Sequence, residues 1–321
     1  MEIGFEPLAP MEPQPADAVP AGEEWQHQIK WDGVRMLVYG HGGPCRLFNR
    51  RGRERTLNYP ELVQPQSYCK ARSFILDGEM IALGVDGKPS FHEVMRRDGV
   101  RRADRVEAAC RQVAVSYMAF DLLYVNESWL LDVPLAERQQ LLAEVLLPGG
   151  IVQPVPAYAD GAALLALMRQ AGMEGIVSKK RDSVYRLGGK HESWLKIKHY
   201  RDLIAVIGGF TLRDGLMNAL LVGLYDADGG LHFIGHAGAG RLNRDQWRGL
   251  SELLLPTMAT ACPFVRLHPD MREPVWVTPR YTVKLQFADW RPAEGRTLRQ
   301  PLLLALTDLP ARSCVFQAGE I

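Results

Sequence analysis

Apolar positions along the chain fall into two textures. Up to about residue 200, apolar runs of strand length alternate with stretches of helical period; beyond it, short strands and glycine turns dominate. Residues 34–39 and 74–83 read as strands, with Asp86-Gly87 turning the chain back toward Phe91. Residues 113–125 read as a strand pair or one long strand. Three runs carry a helical stripe. Asp132 and Pro134 open the first, which places Leu135, Leu141, Leu142, Val145 and Leu146 on one face. Asp160 caps the second, which stops near Gly172, and Asn243 caps the third, with Trp247, Leu250, Leu253 and Leu254 as its stripe. Past Arg201, residues 204–207, 220–225, 231–234 and 281–287 read as strands, with Asp228-Gly229-Gly230 as a turn. Residues 1–24 hold five prolines and read as an extended lead-in.

At 321 residues the chain has length for two domains, and 47% apolar with 23% charged residues is globular composition. The predicted fold class is α+β. A first domain covers residues 1–200, a small Greek-key barrel of the OB type covers 203–310, and a C-terminal tail covers 311–321. Five scattered cysteines with no C-x-x-C spacing exclude a disulfide framework and a zinc ribbon, and fit a reducing compartment. No apolar run approaches a membrane span, and the acidic, proline-rich start lacks a signal-peptide pattern, so a cytoplasmic protein is expected. Net charge is only +1, but its distribution is uneven. Residues 1–29 carry six acids and no Lys or Arg, residues 30–60 carry seven bases against two acids, and residues 179–201 carry eight against two.

The candidate chemistry lies in those basic stretches. Lys30-Trp31-Asp32-Gly33-Val34-Arg35 comes first, then Phe74-Ile75-Leu76-Asp77-Gly78-Glu79 and Phe120-Asp121-Leu122-Leu123-Tyr124. Glu174-Gly175-Ile176-Val177-Ser178-Lys179 and Trp194-Leu195-Lys196-Ile197-Lys198 complete the set. A lysine that serves as a nucleophile must first lose a proton from an amine with a pKa of roughly 10.4. Lys196, Lys198 and a divalent cation would lower that value for Lys30 if they folded close to it. No G-x-x-x-x-G-K-[ST] loop, G-x-S-x-G elbow or H-E-x-x-H helix is present, which sets aside P-loop ATPases, α/β-hydrolases and zincins.

These five motifs, in this order and spacing, resemble the nucleotidyltransferase motifs of ATP-dependent DNA ligases. The chain is most similar to the ligase module of bacterial ligase D, the end-joining ligase, from about residue 10 to about residue 306. Phe287-Ala288-Asp289-Trp290 adds to that likeness. The resemblance implies an adenylation domain of twisted antiparallel sheets followed by an OB-fold, whose intervening hinge swings at residues 200–202. It implies an enzyme that seals 3′-OH/5′-phosphate nicks in duplex DNA through lysyl-AMP on Lys30 and a DNA-adenylate, using ATP and Mg²⁺ or Mn²⁺.

By the same resemblance, Lys196 and Lys198 assist Lys30 and bind ATP, and Arg299 orients the β,γ-phosphates. Glu79 holds the ribose, Phe120 stacks on adenine, and Asp32, Glu79 and Glu174 are the metal ligands. Arg35, Arg50 and Lys179 contact the nucleotide or the nick phosphate. Gln28 stands where the family often has Glu, two places before the nucleophile, and its amide can still bond adenine. Gly295-Arg296-Thr297-Leu298-Arg299-Gln300-Pro301 resembles the family's final motif, with Gln300 in place of the usual His. Arg51, Arg53 and Arg55 read equally as a solvated basic turn or as DNA contacts. The segments around residues 50–55, 96–105 and 179–198 would line a phosphate track. The implied partners are nicked DNA, a bacterial Ku protein and separate polymerase or nuclease components; no membrane is implied, and a monomer is expected. Two rivals stay open: an RNA ligase or GTP-using capping enzyme, and a non-catalytic OB-fold nucleic-acid-binding module.

Overall fold

The computed structural model describes residues 6–271, 273–290 and 297–316. It divides into two compact units, Met1–His199 and Tyr200–Ile321.

The first unit carries strands β1 (Glu12–Pro15), β2 (Trp25–Ile29), β3 (Val34–His41), β4 (Arg46–Asn49) and β5 (Ser73–Ile81). Helices α1 (Phe91–Asp98) and α2 (Ala103–Gln112) follow, then β6 (Ser116–Val125), β7 (Ser128–Trp129), α3 (Leu135–Val145) and β8 (Val152–Pro154). Helix α4 (Gly161–Gln170), β9 (Gly175–Lys180) and β10 (Lys190–Lys198) close the unit. One sheet runs β1-β10-β9-β2; the other runs β4-β3-β5-β6-β7, with β8 added parallel to β6. The alternation of strand side chains then sets the layers. Leu37, Tyr39, Ile75 and Leu123 of the second sheet meet Trp194 of the first, with Tyr185 beside them. Met36, Val38, Leu76 and Met80 point the opposite way, into a second core with Val94 of α1 and Leu142 of α3. Leu164 and Met168 of α4 cover Ile176 and Ile197 on the outer face of the first sheet. Strand β5 is buried at eight of its nine positions because both of its faces are covered.

Helices α1 and α2 are additional to the three helical runs read from the sequence: α1 turns Arg97 and Asp98 inward with Val94, and α2 has no buried residue, so neither buries an apolar stripe. Arg97 is fully buried and donates to the carbonyls of Asn58 (2.7 Å) and Val113 (2.9 Å) and to Glu61. It therefore belongs to the core rather than to a phosphate track along residues 96–105. Helix α3 begins after Pro134, with no side-chain cap, so Asp132 does not cap it. Asp160 does cap α4, accepting from Ala163 N at 2.9 Å.

The second unit holds β11 (Arg201–Arg213), β12 (Leu216–Tyr225), β13 (Leu231–Ala237), α5 (Arg244–Leu254), β14 (Met258–Ala259), β15 (Pro274–Val277), β16 (Thr282–Phe287) and β17 (Leu302–Thr307). The long β11 pairs with β16 through its first half and with β15 through its second, with register shifts between Ile207 and Gly209 on the β12 side. That break lets one strand serve two parts of a curved sheet around a single core, the OB-fold arrangement. Asn243 and Gln246 form a full capping box on α5. Residues 311–316 are not a loose tail: Phe316 N donates to Tyr225 O, Tyr225 N donates to Cys314 O, and Phe316 stacks on Trp290 at 5.8 Å. Among the described residues, no helix is long and apolar enough to cross a membrane.

Candidate active site

Lys30 follows β2 directly, and its backbone N donates to Gly175 O at 3.0 Å. Its Nζ donates to Glu174 Oε2 at 2.7 Å, and Lys198 Nζ lies 2.6 Å from the other oxygen, Oε1. One carboxylate therefore joins the two lysines. Two glycines make this approach possible. A Cβ on Gly175, which sits at φ +140°, would lie 2.2 Å from Ile197 O, so only glycine lets Glu174 approach β10. A Cβ on Gly33 would lie 2.1 Å from Met80 O, so the chain leaving Lys30 is pressed onto β5 beside Glu79. The glycines in the first and fourth motifs are thus structural requirements of the junction.

Burial tends to lower the Lys30 pKa, but the carboxylates of Glu174, Glu79 and Asp32 outweigh it and hold it above the usual lysine value. Lys198 lies close by, on the other oxygen of Glu174, but among the described side chains the carboxylates prevail. Burial works to raise Glu174, and the ammoniums of Lys30 and Lys198 overcome it to keep the carboxylate ionised. Lys196 is lowered by burial and then by Lys198 and Lys30, so all three lysines lie within electrostatic reach of one another. Burial pushes Glu79 up to about 8, against the pull of Lys30 and Arg35. No group of three or more His, Cys, Asp or Glu among the described residues forms a preassembled metal cage. Carboxylate oxygens such as those of Glu174, Asp32 and Glu79 are nonetheless the right donors for Mg²⁺ or Mn²⁺, which binds through one or two carboxylates plus phosphate oxygens.

A second group of side chains lies on the same side of the first sheet. Gln28 pairs with Val177 and Gln26 with Lys179, so Gln28 and Lys179 project from one face of β2 and β9. Gln28 Nε2 donates to Val155 O at 2.9 Å, while its Oε1 is buried with no hydrogen-bond partner among the described residues. The buried Lys179 ammonium lies 4.2 Å from the Phe120 ring centre and 3.9 Å from that of Trp194, and has no ion-pair partner within 4 Å among the described residues. Phe120 and Trp194 meet edge to face at 6.1 Å. Ile81, Met118 and Val155 form the adjoining apolar wall, with Trp31 and Phe120 packed against it. A cavity of about 610 Å³ continues along this wall between Trp31, Met118, Met173 and Lys88.

Burial is the main force that lowers Lys179 to about 7; Asp121 and Asp77 oppose it, while Arg35 and Arg138 add to it. Lys179→Met is accordingly expected to raise the melting temperature at pH 6 and to raise it much less at pH 9. Below about pH 7 the ammonium is charged in both folded and unfolded chains, and the fold bears the full burial penalty. Between about 7 and the unfolded value of roughly 10.4, the folded chain releases its proton first and the penalty fades. The two rings return part of that penalty, leaving on the order of 2 kcal/mol, or roughly 4–8 °C. An equal gain at both pH values would show that Lys179 does not titrate in this range.

The remaining candidates are placed as follows. Arg35 donates through Nε and Nη2 to Asp77 (2.9 and 2.5 Å) and through Nη2 to Tyr185 (3.1 Å), so those donors face the interior and not a nucleotide or a nick phosphate. Asp32 is half-buried beside Lys30, and Arg50 is exposed just past β4. Arg51 and Arg53 are exposed on the turn held by Asn49 Oδ1, whereas Arg55 pairs with Asp98 at 3.3 Å. Arg299 belongs to the second unit, bridged to Asp289; Gln300 adopts φ +51°, and Gly295 and Arg296 lie outside the described residues. Residue-by-residue reading missed Tyr185, Trp194 and Asp77 as site residues. Each is buried and acts through neighbours that only the fold brings close.

Residues 8–198 match the model of the ATP dependent DNA ligase domain, and residues 213–308 match that of the ATP dependent DNA ligase C terminal region. The multifunctional non-homologous end joining DNA repair protein LigD of Mycobacterium tuberculosis (H37Rv) is 34% identical over 283 residues, covering 86% of this chain and 35% of that protein. A DNA ligase of Natronomonas pharaonis is 36% identical over 267 residues, covering 79% of this chain and 47% of that one. The chain thus spans about a third to a half of the length of these curated relatives. Among solved structures, mycobacterial DNA ligase D complexed with ATP and MES is 32% identical with a TM-score of 0.54, covering 98% of this chain and all of that one.

Proposed function

The chain belongs to the ATP-dependent DNA ligase family, and from that premise we propose that it seals 3′-OH/5′-phosphate nicks in duplex DNA by three phosphoryl transfers. Lys30 Nζ attacks the α-phosphorus of ATP, a lysyl–phosphorus bond forms, and pyrophosphate leaves. Glu174 Oε2, 2.7 Å away, is within reach of the proton that Lys30 must lose. AMP then passes to the DNA 5′-phosphate, and the 3′-hydroxyl displaces it. Lys198 and Lys196 offer positive charge where it develops on the transferring phosphoryl group. Mg²⁺ or Mn²⁺, held by Glu174, Asp32 and Glu79 together with the phosphates, would supply further neutralisation of that charge.

The observation that carries this reading is the pair formed by Gln28 and Lys179 on one face of β2 and β9: among the described residues, a buried acceptor without a donor and a buried donor without an ion-pair partner. The Watson–Crick edge of adenine offers the complement, an N6 donor next to the N1 acceptor. Guanine reverses both positions, setting acceptor against acceptor and donor against ammonium. That favours ATP over GTP and counts against the capping-type alternative. A mismatch of this kind in a buried site costs a factor of about 10² or more.

The test is incubation with α-labelled ATP and, in parallel, α-labelled GTP, followed by denaturing electrophoresis and a chase with nicked duplex DNA. Label from ATP that stays on the protein and discharges as the nick closes is the expected result, with GTP at least about a hundredfold poorer. Labelling from GTP, or label that nicked DNA cannot discharge, would replace this reading with a capping enzyme or RNA ligase. A role in double-strand break repair, with a Ku protein and separate polymerase or nuclease components as partners, rests on the likeness to LigD alone.

A further inference from the structure

Tyr185 lies between β9 and β10 and is almost fully buried. Its hydroxyl donates to Asp77 Oδ2 at 2.6 Å and accepts from Arg35 Nη2 and from Met11 N, each at 3.1 Å. One donor and two acceptors are the full capacity of a phenol. Asp77, with no exposed surface, grips Arg35 through both oxygens, so Tyr185, Asp77 and Arg35 close a triangle. The triangle bears on an aromatic pair. The Arg35 guanidinium lies 5.3 Å from the Phe120 ring centre and 5.9 Å from that of Trp194, and the Tyr185 ring meets Trp194 edge to face at 5.7 Å. The Lys179 ammonium rests on the same two rings.

We propose that Tyr185 is a positioning residue for nucleotide binding: by fixing the Arg35 guanidinium against Asp77 it holds the Phe120–Trp194 ring pair, and with it Lys179, in the arrangement that receives the purine. The inference rests on the reading that Phe120 and Lys179 face the base. It also gives Arg35 a role that its interior bonds allow, as a support behind the rings.

Tyr185→Phe keeps the ring and removes only the hydroxyl, leaving Asp77 without one of its donors and Arg35 Nη2 and Met11 N each without this acceptor. The KM for ATP in self-adenylation should rise about tenfold, the effect of losing one hydrogen bond to a charged group. The maximal rate, and the sealing of a nick that already carries AMP, should stay within about threefold. In an Arg35→Lys background, which lacks the planar fork, the same substitution should change KM by less than about twofold, because the two residues act as one unit. An unchanged KM with a lowered melting temperature would overturn the inference and leave Tyr185 as packing alone. A fall in maximal rate at constant KM would also overturn it, as would multiplicative effects in the double variant. Wild-type protein run alongside separates the two levels: if it takes no label from ATP, the nucleotide-binding reading itself falls and this inference falls with it.

Discussion

Replacing Lys30 by Ala is expected to abolish transfer of label from α-labelled ATP to the protein. In the proposed mechanism the amine is the group that becomes bonded to phosphorus, so its removal leaves nothing to form the phosphoramidate, and the loss should exceed about 10³-fold. Lys196 and Lys198 are no substitutes, since Glu174 bonds Lys198 on its far oxygen and Lys196 extends from β10, not from the end of β2. Folding should survive, because the Lys30 side chain is 22% exposed and its removal breaks one ion pair. Joining of a pre-adenylated nick should persist in the variant, since the third transfer does not need the lysine as nucleophile. Labelling on a denaturing gel, with the melting temperature as control, decides it; a variant that still takes label would move the nucleophile elsewhere.

The second large effect is on stability. Arg138→Met should lower the melting temperature of the first unit by roughly 6–20 °C, from a cost of about 3–5 kcal/mol. Arg138 and Asp121 have no exposed side-chain surface, and they meet at 2.7 and 2.8 Å through a bidentate pair. Arg138 Nη1 also donates to the carbonyls of Val133 (2.6 Å) and Ser183 (2.9 Å). Removing the guanidinium strands the Asp121 carboxylate in a dry interior and leaves those carbonyls without this donor. Arg138→Met combined with Asp121→Asn should recover at least half of the loss, because the uncompensated charge is gone while Asn can still accept from Leu122 N. Denaturation monitored by circular dichroism tests both; a single variant that melts within about 2 °C of wild type would show that the pair contributes little. Asp121 adjoins Phe120, so this ion pair also anchors the strand that carries the ring.

Much of the candidate site was legible in the chain before any fold was known. Lys30, Glu79, Phe120, Glu174 and Lys198 stand in motifs of fixed spacing, and the glycines inside those motifs report where backbones must nearly touch. Helices with an apolar stripe and a capping residue, α4 and α5, were legible for the same local reason. Helix α1 was not, because what it buries is Arg97 and Asp98 along with Val94, and a buried arginine has no signature in a hydrophobic pattern. The interior partners of Arg35 were likewise not legible. A guanidinium suits a phosphate as well as it suits a carboxylate, and only the pairing of β3 with β5 and the return of residue 185 supply Asp77 and Tyr185.

The chain by itself determined the family resemblance, the order of the two units and the candidate for the nucleophile. These depend on residue types at short separations, which local sequence records. The tertiary structure alone decided the electrostatics: that Lys30 is held above its ordinary pKa by Glu174, that Lys179 is pulled down by burial between two rings, and that Gln28 is left with an unmet acceptor. Each of those depends on the distance between groups that lie on different strands or at their ends and on the exclusion of water between them, and neither quantity is written in a linear order of side chains.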